Sequence, residues 1–114
     1  LGVFGCEAGR GLGGLDVHGR AAACSFLPPP AALTGVDSRG SADAGRDLGS
    51  AWDGARHLDV VRAHHAALGE PCASCELAPV CRGGCQAVSM HARGALGPDP
   101  ECPRVRAHAA APAP

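Results

Sequence analysis

The sequence predicts a small, irregular α+β fold, one β-hairpin plus one or two helices, fastened through its cysteines rather than by a large apolar core. Three observations lead there. The chain has 114 residues, the size of one small domain, and only 3% are aromatic, with one Trp and no Tyr. Its abundant Ala, Gly and Pro bury little area per residue, so the core is expected to be thin. Seven cysteines are present, four of them inside "CASCELAPVCRGGC", and as disulfides or metal ligands they can hold what packing does not. Finally, the texture changes at Asp47, from turn-rich sequence to helix-like spacing.

The elements follow in order. Residues 12 to 24, "LGGLDVHGRAAAC", read as a hairpin: Leu15 and Val17 alternate, His18-Gly19 supplies a turn that tolerates positive φ, and Ala21 to Cys24 runs back. Residues 27 to 46, "LPPPAALTGVDSRGSADAGR", are linker, given three consecutive prolines followed by Gly, Ser and Asp. A helix is expected from about 50 to 68, where Trp52, Ala55, Leu58, Val61 and Leu68 fall near helical spacing. Asp47 or Ser50 would cap it and Gly69 would stop it. The cysteine-rich loop occupies 70 to 86, and a short helix covers 86 to 92. The tail from 105 to 114, ending "RAHAAAPAP", is expected to be disordered.

Composition excludes several classes. The net charge is −1, and the ten basic residues, all Arg, are scattered, which leaves no footprint for nucleic acid. No apolar run approaches membrane-spanning length. The amino end has neither an initiator Met nor a basic leader, so a piece of a longer protein is expected. Lys, Asn, Ile and Tyr are absent, the pattern of GC-rich coding, so the Ala/Gly/Arg/Pro bias carries no functional weight.

The cysteines carry the chemistry. Between 72 and 85 they run C-x2-C-x5-C-x3-C. A C-x2-C turn lets two thiolates grip one metal centre, and it serves zinc and iron-sulfur sites alike. Zinc sites usually pair two C-x2-C knuckles, whereas the second pair here is C-x3-C, opened by Gly83-Gly84. A disulfide framework would leave one of the seven thiols over. Around this run stand Cys6, followed by twelve residues, Gly19, four residues and Cys24, and then the outlying Cys102.

The whole arrangement, C-x(9 to 15)-G-x4-C, gap, C-x2-C-x5-C-x3-C, gap, C, resembles the seven-cysteine signature of the SPASM domain, the auxiliary-cluster module at the carboxy end of radical SAM enzymes. The resemblance spans roughly residues 5 to 104, with "LDVHGRAAAC", "DLGSAWD" and "LGPDPEC" similar to the family's segments at those places. It implies a fold organised around two [4Fe-4S] clusters, one on Cys72, Cys75, Cys81 and Cys102, the other on Cys6, Cys24 and Cys85. A fourth ligand for the second would come from upstream of Leu1, from Glu7 or Asp16, from solvent or from substrate. The family's C-x3-C-x2-C motif is missing here, so S-adenosylmethionine and a third [4Fe-4S] cluster would belong to an upstream catalytic domain. The resemblance further implies a cytoplasmic maturase acting on a peptide or protein side chain, with a redox donor such as ferredoxin or flavodoxin. The alternatives from the residues themselves are a zinc-binding interaction module and a freestanding ferredoxin-like carrier.

The remaining candidates read blandly. "GRGLGG" matches G-x-G-x-x-G but follows no predicted strand and opens no helix, so it is a loop. His57, His64 and His65 lack an H-E-x-x-H pattern and are expected on a solvated helix surface. Trp52 is expected as a core anchor. Arg82 reads equally as a residue that tunes a nearby charge or as a solvated loop Arg.

Overall fold

A computed structural model describes residues 5–15, 17, 20–27 and 47–111. The His18-Gly19 turn, Asp16, the linker from 28 to 46 and the last three residues lie outside the described residues. Those described form a small α+β protein with one two-stranded antiparallel hairpin and five helices. None of these helices is long and apolar enough to cross a membrane. They group into two compact units, Glu7–Ala63 and Leu1–Cys6 with His64–Pro114.

In the unit Glu7–Ala63, β1 (Gly14–Leu15) pairs with β2 (Ala21–Ala22) in the register Gly14↔Ala22 and Leu15↔Ala21. The expected hairpin is therefore present, but its apolar alternation points outward: Leu15 and Val17 are exposed while Ala21 is buried. Next comes α1 (Leu48–Asp53), capped by Asp47, whose Oδ1 accepts from the Ser50 N–H at 3.0 Å. That bond and the Ser50 hydroxyl hold the Asp47 carboxyl below its usual range, the hydroxyl acting more strongly.

The single helix expected over 50 to 68 is in fact two, α1 and α2 (Arg56–Ala66), with the break at Gly54. The reason lies in the spacing. Trp52, Ala55, Leu58 and Val61 recur every third residue, and at about 100° per residue a continuous helix would turn Trp52 and Val61 to opposite faces. Breaking at Gly54, whose N–H bonds the Ser50 carbonyl at 3.0 Å, releases the second helix to bury Leu58 and Val61 fully. Trp52 is only half-buried, its ring against Gly13 and under the Arg62 guanidinium at 5.3 Å, so it is not the central anchor expected.

A second correction concerns the histidines. His57 and His65 are buried, at 4% and 8% exposure, rather than solvated. Small Ala and Gly side chains leave volume that an imidazole can fill, provided its polar atoms find partners. His57 meets that condition by donating from Nε2 to the Ala21 carbonyl at 2.6 Å, which ties α2 to β2 within this unit.

The other unit holds three short helices: α3 (Ala78–Cys81), α4 (Gln86–Arg93) and α5 (Pro103–Ala110). The last corrects the expected disordered tail. Pro103 sits at the start of the helix, where its missing N–H costs nothing, and Val105 is buried, which anchors the Ala-rich turn that follows. α4 matches the short helix expected at 86 to 92, and it ends at Gly94 in the left-handed region. Beside Ala87 it buries two polar residues: Gln86 accepts from the Gly97 N–H at 3.0 Å, and the Ser89 hydroxyl donates to the Ala95 carbonyl at 3.0 Å.

Candidate metal centre

Cys72, Cys75, Cys81 and Cys102 line a single cavity of about 260 Å³ in the unit His64–Pro114, together with Gly83, Gly84, Asp99, Glu101, Arg104 and others. Each cysteine arrives by a different local device. Cys72 and Cys75 stand on successive turns: the Cys72 N–H bonds the Gly69 carbonyl, and the Cys75 N–H bonds the Cys72 carbonyl, both at 3.0 Å. Cys81 closes α3, its N–H bonded to the Leu77 carbonyl at 2.7 Å. Cys102 immediately precedes α5, with its N–H on the Asp99 carbonyl at 3.1 Å.

Between Cys81 and Cys85 the chain reverses through three residues with positive φ: Arg82 at 53°, Gly83 at 85° and Gly84 at 82°. Asp99 locks this reversal. Its N–H donates to the Gly83 carbonyl at 2.9 Å, its Oδ2 accepts from the Cys85 N–H at 3.1 Å, and its Oδ1 accepts from the Glu101 N–H at 2.9 Å. Close approach makes Gly84 obligatory, because a Cβ there would collide with the Asp99 side chain. On the other side Gly5 donates to the Val80 carbonyl at 2.7 Å and lies so near Cys81 that a Cβ would strike its backbone.

Electrostatics agree with the geometry. Burial pushes the Cys72 thiol up, and negative charge on Cys81, Cys102 and Cys75 pushes it further, while Arg104 acts in the opposite sense. Each of the three other cysteines is close enough to be felt. Four thiolates around one space repel one another, and a bound cation relieves that repulsion. Yet among the described residues no group of three or more His, Cys, Asp or Glu side chains could hold a metal ion as they stand. The cysteines surround a space of several water volumes, at about 30 Å³ each, rather than converging on a point. Four cysteines lining a shared space are a donor set suited to a zinc or an iron-sulfur centre alike.

All seven cysteines are free thiols. Cys6 and Cys85 belong to the same unit as the four, outside the lining of their cavity, and Cys85 is exposed. Cys24 belongs to the unit Glu7–Ala63, where its Sγ accepts from the Phe26 N–H at 3.5 Å. The structure thus brings together four of the seven predicted ligands. Comparison with known proteins finds no matching family model, no matching curated protein and no matching solved structure.

Sequence reasoning missed Asp99, Glu101 and Arg104. Arg104 had a signal: proline directly after Cys102 marks a helix start, which turns the following residues back toward the cysteine. Asp99 had none of its own, because the partners through which it locks the reversal, Gly83 and Cys85, are 14 or more residues away in the chain. Arg82, read two ways from the sequence, is half-buried.

Proposed function

We propose that this chain is the auxiliary-cluster portion of a radical SAM enzyme of the SPASM type, acting in the modification of a peptide or protein side chain. Cys72, Cys75, Cys81 and Cys102 would hold one [4Fe-4S] cluster, and Cys6, Cys24 and Cys85 would contribute to a second. When bound, such a cluster accepts and donates single electrons at a potential set by its surroundings. The protein's own part is to hold the thiolates, to donate backbone N–H groups near them and to exclude water.

The observation that carries the reading is that the four cysteines line one cavity in a unit whose described interior is otherwise mostly polar. Among the described residues the buried apolar side chains there are Pro71, Ala87 and Val105, whereas the unit Glu7–Ala63 buries Ala8, Ala21, Ala23, Ala51, Ala55, Leu58 and Val61. A compact unit with so few buried apolar side chains among its described residues needs another source of cohesion, and a thiolate-bound centre would supply it.

The test is anaerobic reconstitution with ferrous iron and sulfide, followed by metal and labile-sulfide assay and an absorption spectrum. A brown protein with iron and sulfide in equal amounts is expected, and Cys75→Ala should lose about four irons per chain, one cluster's worth. A colourless protein carrying one or two zinc ions would replace this reading with a zinc-binding module. Unchanged iron in Cys75→Ala would remove that cysteine from the site.

A further inference from the structure

Among the described residues Arg104 is the one cation in the lining of the four-cysteine cavity, and its contacts fall at particular places. Its Nε donates to the Pro71 carbonyl at 2.9 Å, and its second guanidinium nitrogen donates to the Ser74 carbonyl at 3.3 Å and the Ser74 Oγ at 2.9 Å. Pro71 immediately precedes Cys72, Ser74 immediately precedes Cys75, and Arg104 itself stands two residues after Cys102. The Ser74 hydroxyl, accepting from Arg104, donates in turn to Glu70 Oε2 at 2.7 Å, which fixes its rotor and extends the network to the start of the loop.

We propose that Arg104 is the positioning residue of this centre, a guanidinium clamp that sets the Cys72 and Cys75 turns in register with Cys102. The inference rests on the metal-centre reading. Three of four ligands from segments some thirty positions apart are aligned by one side chain. Only a planar fork can reach both backbone carbonyls and the hydroxyl at once; a Lys ammonium retains the charge but not the span. Because Arg104 is exposed at the rim, its charge is screened, and its main effect is on ligand geometry.

The test uses the full chain, reconstituted anaerobically with iron and sulfide, in wild type, Arg104→Gln, Arg104→Lys and Ser74→Ala. Iron release to a chromogenic ferrous chelator is timed, and the paramagnetic resonance spectrum of the reduced cluster is recorded. Removal of an outer partner of a metal ligand typically costs 10–100-fold in retention, so Arg104→Gln should release iron about 10–100-fold faster. Its spectrum should be altered, Ser74→Ala should fall between, and Lys should rescue only in part. Wild-type release rates and spectra in both Arg104→Gln and Ser74→Ala would overturn the clamp. Full rescue by Lys would reduce it to a charge effect and overturn it equally. If Arg104→Gln does not fold, Ser74→Ala decides, since it leaves the guanidinium in place. Failure of the wild type to bind iron is a different result, and it rejects the metal centre itself.

Discussion

His64 shows how a single residue in so small an interior can link stability to pH. Its Nε2 is buried without a hydrogen-bond partner, and a Cβ on Gly83 would lie 3.9 Å from it and 3.4 Å from the equally unpartnered Nε2 of Gln86. Burial chiefly, and then the neighbouring His65, holds the His64 imidazole below its ordinary 6.5. A lowered folded value means that the unfolded chain binds the proton more readily. Stability is therefore full above about pH 6.5 and falls as the pH drops toward the folded value. Thermal unfolding followed from pH 7.5 to 5 should show this decline in wild type and a shallower one in His64→Gln. Equal slopes would mean that His64 does not titrate as described. The same scale explains why Gly83 and Gly84 are legible in the sequence as a sharp reversal while Asp99 is not. A glycine announces a backbone requirement, but the carboxylate that exploits the reversal comes from a distant position.

Among the elements, α2 buries the largest apolar side chains. Leu58 and Val61 have no exposed surface, whereas Val60, which lies between them in the chain, is 38% exposed. Truncating Leu58 to Ala removes the largest buried side chain and should cost about 2–5 kcal/mol, while Val60→Ala should change stability by less than about 1 kcal/mol. Chemical denaturation of the two variants checks this, and comparable losses would contradict the assigned face. The helix was readable from its apolar spacing, but its division at Gly54 was not, because residues three apart satisfy a helical template locally and drift from it over several turns. The helix after Cys102 was hidden for a different reason. An Ala-rich sequence of this length is a marginal helix by itself, and the burial of Val105 with the Arg104 contacts makes it persist.

At the scale of the whole molecule the two compact units differ in what holds them. Glu7–Ala63 has an ordinary, if small, apolar interior; the unit completed by His64–Pro114 has a polar one, with His65, Gln86 and Ser89 buried beside Ala87 and Val105. Stripping the metal from reconstituted protein should accordingly loosen the second before the first. Hydrogen exchange after chelation should show lost protection in Gln86–Arg93 and Pro103–Ala110 while Arg56–Ala66 retains most of its own. Uniform loss, or none, would show that the centre does not sustain that unit. By itself the sequence determined the hairpin, the linker-like composition, the helical texture after Asp47 and the seven-cysteine spacing with its implied grouping. These are local or counted properties, written in neighbouring residues. Only the tertiary structure decided that Cys72, Cys75, Cys81 and Cys102 share one cavity and that Asp99 and Arg104 brace it, because those relations depend on which distant segments come together. Spacing can imply a grouping by resemblance, but closing loops across tens of residues requires the contacts of the folded chain.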